Sequence, residues 1–154
     1  MKVAGRWCYL YRAIDSDGNL VETMLSKTRD MDAAKKFFAC ALKAVAQTPE
    51  KVTTDGHDSY PRAIRETLGP DVCHRTSRST NNRIEQDHRG IKQRYCPMRG
   101  FGSFDAAARF CTAHDELRDH LRPRTRFNDA VSPADQRRLF QDRWGEVCAL
   151  LQAA

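Results

Sequence analysis

Two carboxylates stand where the chain could bind a metal ion. Asp55 ends the short segment "KVTTD", and the Gly56 that follows lets a backbone turn away sharply after a strand. Glu85 opens a helical pattern thirty positions later, in "NNRIEQDHRGIKQRY". Hard cations such as Mg²⁺ prefer oxygen ligands, and a pair of them about 4 Å apart can activate the attacking oxygen and stabilise the leaving one in phosphodiester chemistry. The pattern therefore suggests Asp55 and Glu85 as ligands of Mg²⁺ (or Mn²⁺).

Cationic side chains surround Glu85. The segment from Arg75 to Arg99 holds seven cations and two carboxylates, so it carries a net charge of +5 out of the formal +6 of the whole chain. Charge concentrated in this way is typical of nucleic-acid binding, because phosphates dominate the affinity. Lys92 lies two helical turns beyond Glu85 on the same side and could hold a phosphate near a metal ion. The candidate phosphate-binding residues of this helix are Lys92, Arg89, Arg94 and Arg83.

Spacing alone leaves structural alternatives open. An Asp-Gly pair after a strand is often only a turn, and a helical Glu85 with Arg89 at i+4 is often only a surface ion pair. His88 lies on the apolar stripe of the helix and is better explained as a core histidine. Asn81 and Asn82 are better explained as helix caps than as ligands.

The order of the elements predicts a mixed sheet flanked by helices. "GRWCYLYRAID" is typical of a strand buried on both faces, and after the turn "SDG" its antiparallel partner is "NLVETMLSK". A helix capped by Asp30 follows, then the strand "KVTTD", a helix across "SYPRAIRETLG" and a strand around "DVCHRT". Ligands gather at the carboxyl ends of parallel strands in such sheets, and Asp55 is predicted to lie at one of these ends.

Three more helices are predicted in the second half of the chain. The first presents a stripe of Ile84, His88, Ile91 and Tyr95 to the core, and the second begins at the cap Ser103. The last begins at "SPADQ" after a linker. Its apolar stripe is predicted to pack on the chain's own core, with a subunit interface as the alternative. The residues of this stripe are Phe140, Trp144, Val147, Cys148 and Leu151.

Composition bounds the class of protein. A chain of 154 residues with 40% apolar and 30% charged residues is typical of one globular domain, with room for a small appendage. No apolar run approaches the roughly 18 residues of a membrane span, and the N-terminus does not resemble a signal peptide, so we expect a cytoplasmic protein without a membrane partner. The six cysteines are scattered singly, which favours buried free thiols over disulfides or a zinc site.

Four segments together carry a family resemblance: "RWCYLYRAIDSDGNLVE", "VTTDGHDSYPRAIRETLGPDV", "NNRIEQDHRGIKQRY" and "MRGFGSF". They resemble the catalytic core of bacterial insertion-sequence transposases of the DDE type, in the family whose elements form cointegrates. The resemblance implies a ribonuclease-H-like α/β fold, shared with retroviral integrases. It also implies Mg²⁺-dependent nicking at element ends and joining of the freed 3′-hydroxyl to target DNA. By this match Asp55 is the second acidic residue of the family, Glu85 the third, and Lys92 the basic residue seven positions after the glutamate.

The resemblance also implies an organisation and partners. Residues 1–122 correspond to the catalytic core with an incomplete first strand, 123–131 to a linker and 132–154 to a C-terminal helical extension. The expected partners are insertion-sequence ends and target DNA, together with further copies of the full-length protein in a homo-oligomer. The expected location is the bacterial cytoplasm, in association with the nucleoid.

Two departures from the family pattern qualify these expectations. The family's first catalytic aspartate lies in a D-E-T-Y-type segment whose end Met1 occupies here, so we expect this chain to lack one metal ligand and the helix-turn-helix, and to have little strand-transfer activity. Asp15 and Asp17 belong to a hairpin turn and are expected at the opposite end of the strand. The segment "TSRSTNN" also replaces an aromatic residue and a leucine found in relatives. The alternatives are a non-catalytic DNA-binding or interaction remnant of a transposase and a metal nuclease of similar fold.

Overall fold

The computed structural model describes residues 1–77, 82–98, 100–122 and 131–153, and of residues 82–87 it describes only the backbone. In these residues it has both helices and strands, as the predicted α/β class requires. The strands are β1 (Lys2–Val3), β2 (Arg6–Trp7), β3 (Tyr9–Ile14), β4 (Leu20–Ser26), β5 (Lys51–Thr54) and β6 (Cys73–Thr76). The helices are α1 (Met31–Val45), α2 (Tyr60–Thr67), α3 (Asn82–Tyr95), α4 (Phe104–Leu121) and α5 (Pro133–Gln152).

The first predicted strand is divided into two elements. β1 and β2 form a tight antiparallel hairpin through Ala4 and Gly5, whose φ angles of 45° and 79° lie in the left-handed region. β3 begins only after Cys8. The Trp7 side chain is 65% exposed and lies under the Lys2 ammonium group, 5.4 Å from the ring centroid. The prediction of one strand buried on both faces is therefore wrong, because the turn at residues 4–5 folds the chain back and directs Trp7 outward.

The β3–β4 hairpin is confirmed. The two strands pair antiparallel, from Tyr9 opposite Ser26 to Ile14 opposite Leu20. The Asp15 carboxylate accepts hydrogen bonds from backbone N–H groups later in the same turn, so this aspartate stabilises the turn. Asp15 is thus a structural residue of the hairpin, as its place in the sequence predicted.

β5 and β6 form a parallel pair, with Lys51 opposite Cys73 and Thr54 opposite Thr76. The strands of the described residues form three two-stranded sheets rather than the single mixed sheet that was predicted. A cavity of about 1000 Å³ is lined by residues of both β3 and β5, together with residues of α1 and α3. The hairpin and the parallel pair thus face the same space without being joined by backbone hydrogen bonds.

α1 forms the main core with its apolar face. Asp30 caps the helix by accepting a hydrogen bond from the backbone N–H of Ala33 at 2.9 Å, as predicted. Phe37 and Phe38 are 5% and 6% exposed, and burial of each such side chain contributes roughly 1.5–3 kcal/mol to folding. The core cluster consists of Tyr11, Ala33, Ala34, Phe37, Phe38, Ala63 and Ile64. This cluster joins α1 and α2 to β3.

α4 is attached to the β3–β4 hairpin by a buried charged group. Asp115 is 1% exposed, and its Oδ2 atom lies 2.8 Å from the Arg12 guanidinium and accepts a hydrogen bond from the Thr23 hydroxyl at 2.7 Å. The second carboxylate oxygen lies 3.2 Å from Nδ1 of His114. Because an unpaired buried charge is costly, these contacts fix the position of α4 over the hairpin.

The last helix does not pack as predicted. α5 contains no buried residue, and Phe140, Trp144 and Leu151 are 44%, 45% and 72% exposed. α5 contacts the end of α4 through hydrogen bonds that the Arg143 guanidinium donates to the carbonyls of His120 and Arg122. The prediction that the stripe packs on the chain's own core is therefore wrong. Of the predicted linker, residues 123–130 lie outside the described residues.

All six cysteines are free thiols, as predicted. Cys8 and Cys111 are buried, but Cys73 and Cys96 are exposed, so the predicted burial is correct only in part. In the part of the chain that the structure describes, no helix is long and apolar enough to cross a membrane.

Asp115→Asn is expected to lower the free energy of unfolding by about 3 kcal/mol, because it leaves the buried Arg12 charge without its counter-ion. Urea unfolding of the two proteins measures the difference. The control is Arg138→Gln, which breaks an exposed pair with Asp135 and is expected to change stability by less than about 0.5 kcal/mol. An Asp115→Asn variant as stable as the unchanged protein would contradict this role of the pair.

Candidate active site

Asp55 lies at the carboxyl end of the parallel pair, as predicted. β5 ends at Thr54, and the chain then turns through Gly56, whose φ of +84° lies in the left-handed region. A Cβ atom on Gly56 would meet the side chain of Thr76 at 3.4 Å. This is an ordinary van der Waals distance, so the glycine is required for the turn rather than for space beside β6. The Asp55 side chain, which is 48% exposed, is left at the strand end, beside the cavity.

Asp55 has a cationic partner that the sequence analysis missed. The Nη2 atom of Arg29 donates a hydrogen bond to Oδ2 of Asp55 at 2.8 Å. Among the described residues, the only hydrogen bond that the other carboxylate oxygen, Oδ1, accepts is a long one of 3.4 Å from the backbone N–H of His57. Arg29 lies between β4 and α1, next to the cap Asp30. In the sequence, Arg29 is recognisable only as a cation directly before a helix cap. This local pattern does not predict that Arg29 pairs with Asp55, 26 positions later.

Tyr60 connects this ion pair to the core. Its ring packs edge-on against Phe38, with 6.0 Å between the ring centroids. Burial raises the pKa of Tyr60. Burial by itself would lower the pKa of Arg29, but its hydrogen bond to Tyr60 and the charge of Asp55 outweigh that effect, and the pKa of Arg29 is raised. The guanidinium therefore stays charged throughout the pH range in which proteins fold.

α3 brings Lys92 to the same cavity as Asp55. Ile91 is 1% exposed and anchors the buried stripe of the helix, while His88 and Tyr95 on the same stripe are partly buried. Lys92 follows Ile91, so it is rotated by about 100° around the helix and is exposed while still lining the cavity. Two of the residues predicted from sequence, Asp55 and Lys92, thus line one cavity.

The other predicted residues are placed differently. Arg89 and Arg94 are exposed on α3 and do not line the cavity. Glu85 and Arg83 lie in the first turns of α3, but their side chains are outside the described residues. The convergence of Asp55 and Glu85 therefore stays a prediction.

The described side chains supply part of a metal site. Asp55 fits the role of ligand, because it is a partly exposed carboxylate with one oxygen that makes only a long hydrogen bond. Within the described residues there is no group of three or more histidine, cysteine, aspartate or glutamate side chains that could hold a metal ion. A metal ion at Asp55 would need further ligands, and Glu85, whose side chain is not described, is the candidate that the sequence predicts.

Comparison with known proteins decides the family. The model of a family described as "DDE domain" matches residues 1–124. The chain belongs to the DDE family of insertion-sequence transposases. It is 43% identical over 99 residues to the transposase for insertion sequence-like element IS431mec of Staphylococcus aureus strain Mu50. It shows the same identity over the same length to the transposase for insertion sequence element IS257 in transposon Tn4003 of Staphylococcus aureus.

These alignments cover only part of each DDE relative. Each covers 61% of this chain and 43% of the staphylococcal protein, so the chain spans less than half the length of these curated relatives. An uncharacterized protein, pYV0051 of Yersinia pseudotuberculosis, is 38% identical over 66 residues, which are 42% of this chain and 62% of that protein. No solved structure matches the chain.

Membership of the DDE family confirms the resemblance inferred from the four sequence segments. Domains of this family generally use divalent metal ions, and transposases act on DNA. The carboxylate of Asp55 and the ammonium group of Lys92, which line one cavity, are groups suited to these two partners.

Gly56→Ala is expected to destabilise this DDE domain by about 1–2 kcal/mol, because alanine is strained at the left-handed φ of this position. Thermal unfolding measures the effect. Gly102→Ala is the matched control, since Gly102 has no positive φ and a Cβ there meets nothing within 4 Å. The control is expected to be as stable as the unchanged protein or slightly more stable. Equal stability of the two variants would show that the turn after Asp55 does not require glycine.

Proposed function

We propose that this chain is the catalytic domain of an insertion-sequence transposase and that, in the full-length protein, it cleaves and transfers DNA strands with Mg²⁺ (or Mn²⁺). The observation that carries the proposal is the placement of Asp55 and Lys92 on one cavity at the carboxyl end of a parallel strand pair. The family match over residues 1–124 supports the same activity. A ribonuclease-H-like fold is part of the proposal and is supported by an antiparallel hairpin beside a parallel pair, with helices packed on them.

In this proposal Asp55 and Glu85 are the metal ligands. A bound divalent ion activates the attacking oxygen and stabilises the leaving oxygen of the phosphodiester. Asp55 contributes an oxygen ligand from the rigid end of β5. Glu85 contributes a second from α3, the helix that also carries Lys92. The protein's part is to hold these carboxylates still, since small displacements of catalytic groups reduce the rate strongly.

The cations of α3 bind the DNA backbone in this proposal. Lys92 lines the cavity and holds the phosphate next to Asp55 as a point charge. The exposed Arg89 and Arg94 contact flanking phosphates, and Arg83 is a third candidate for such a contact. Such contacts position the duplex without reading its sequence. The DNA partners are the insertion-sequence ends and the target.

The organisation of the longer protein is a further part of the proposal. Residues 1–122 form the catalytic core, 123–131 a linker and 132–154 a helical extension. We expect a homo-oligomer when the protein is full length, and the exposed apolar side chains of α5 are compatible with a subunit contact. The protein would act on chromosomal DNA in the bacterial cytoplasm, in association with the nucleoid.

Lys92→Gln is expected to weaken binding of duplex DNA uniformly across sequences and to reduce the slope of log affinity against log salt by about 1, because one phosphate contact is lost. Fluorescence anisotropy of a labelled duplex at several salt concentrations measures both quantities. Lys43→Gln is the control, since Lys43 is exposed at the end of α1 and does not line the cavity. An equal loss of DNA affinity in Lys92→Gln and Lys43→Gln would show that binding depends only on the total charge of the protein.

In the full-length protein, Asp55→Asn is expected to lower metal-dependent nicking of plasmid DNA by about 100-fold or more, because the amide is a poor ligand for a divalent ion. Asp71→Asn, which alters an exposed carboxylate before β6, is expected to leave nicking unchanged. Nicking that survives in Asp55→Asn would contradict the assignment of the site. A chain that binds DNA but nicks none with Mg²⁺ or Mn²⁺ would instead identify a non-catalytic DNA-binding remnant.

A further inference from the structure

Arg29 is the cation in direct contact with Asp55. Its guanidinium donates to Oδ2 of Asp55 at 2.8 Å, and the two side chains are 35% and 48% exposed. Arg29 also lines the cavity, together with Lys92. It does not belong to α3 and therefore lies apart from the cationic helix to which DNA binding has been assigned.

The position of the Arg29 guanidinium is fixed by the core. Its backbone precedes Asp30, which caps α1 through the N–H of Ala33. The Tyr60 side chain contributes to raising the pKa of Arg29, and both residues line the cavity. The Tyr60 ring in turn packs against Tyr11 and Phe38, with centroid distances of 6.5 Å and 6.0 Å. A side chain held in this way loses less conformational entropy when it binds an anion than a freely moving surface arginine does.

Arg29 and a divalent ion compete for the same carboxylate. Both are cations that bind carboxylate oxygens, and Oδ2 of Asp55 already accepts a hydrogen bond from Arg29. A divalent ion on the other oxygen would stand beside the guanidinium, and the two positive charges would repel each other. Binding of the ion therefore favours departure of Arg29, and departure of Arg29 favours binding of the ion.

We propose that Arg29 is the resident counter-cation of Asp55 and exchanges with the divalent ion, after which its guanidinium binds a DNA phosphate at the cavity. This inference rests on the proposed function, which makes Asp55 a metal ligand. A phosphate that draws Arg29 away from Asp55 raises the affinity of the carboxylate for the ion, and by reciprocity the ion raises the affinity for the phosphate. Arg29 thereby couples loading of the metal ion to the presence of DNA.

A titration of the whole chain with Mn²⁺ tests the exchange. The readout is paramagnetic broadening of the backbone amide NMR signals of Gly56 and His57, next to Asp55. Arg29→Gln is expected to tighten Mn²⁺ binding roughly two- to fivefold, the worth of one partly exposed ion pair. Arg29→Lys keeps the charge and is expected to bind Mn²⁺ nearly as the unchanged protein does. We therefore expect the tighter Mn²⁺ binding of Arg29→Gln to result from loss of the positive charge rather than from loss of the guanidinium shape.

Arg62→Gln is the matched control. Arg62 is also paired with a carboxylate, Glu66, at 2.6 Å, but on α2 and outside the cavity lining. Removal of Arg62 is expected to leave Mn²⁺ binding unchanged. If Arg62→Gln tightened Mn²⁺ binding as much as Arg29→Gln does, the change in net charge would explain both results and the proposal would be overturned. If Arg29→Gln fails to fold, Tyr60→Phe tests the same exchange by removing the hydroxyl that contributes to raising the pKa of Arg29. Unchanged Mn²⁺ affinity in Tyr60→Phe would then count against it.

Coupling to DNA gives the second readout. Addition of a short duplex is expected to tighten Mn²⁺ binding in the unchanged protein and to have a clearly smaller effect in Arg29→Gln. Mn²⁺ binding that is unchanged or weaker in Arg29→Gln would overturn the exchange. Asp55→Asn separates the two proposals. If the broadening persists in Asp55→Asn, Asp55 is not a metal ligand and the proposed function is wrong. If the broadening is lost in Asp55→Asn but Arg29→Gln has no effect on Mn²⁺ binding, only the role of Arg29 is wrong.

Discussion

Aromatic packing between α1 and α2 sets the geometry on which the candidate site depends. Phe38 of α1 meets Tyr60 of α2 edge-on, and Phe37 packs against Tyr11 of β3 at 5.4 Å. These contacts place the start of α1, and with it Arg29, beside the start of α2. Because α2 begins five residues after Asp55, the same packing sets Arg29 against the end of β5. The ion pair of Arg29 and Asp55 is thus a consequence of the packing between α1 and α2.

The electrostatic character of the site follows from that arrangement. Asp55 lines the cavity beside Arg29, with which it is paired, and Lys92. In the proposed function, a divalent ion would add further positive charge at this carboxylate. A cavity lined by these cations suits a polyanion, and in the proposed function that polyanion is a DNA phosphate. Under the same proposal, the charge of Arg29 at the carboxylate disfavours loading of the metal ion without an anion present.

The buried pair of Arg12 and Asp115 has a different role in the same structure. It lies between the β3–β4 hairpin and α4 and holds these elements together with charges that are only 4% and 0% exposed at the side chains. It thus joins the second half of the chain to the first, while the aromatic core closes the first half. The sequence alone gave no reason to pair residues about one hundred positions apart, because neither lies in a local pattern that requires a partner.

Local signals in the sequence predicted much of the fold and part of the site. The helix after Asp30, the helix after Ser103, the β3–β4 hairpin and the strand end at Asp55 were all predicted correctly, because capping, periodicity and turn residues act over a few positions. The four family segments likewise identified the DDE family before any coordinates. Tertiary structure alone decided the exposure of α5, the division of the first strand, the separation of the sheets and the contact of Arg29 with Asp55. Each of these depends on which distant surfaces meet, and the free energy of such contacts is not encoded in the spacing of neighbouring residues.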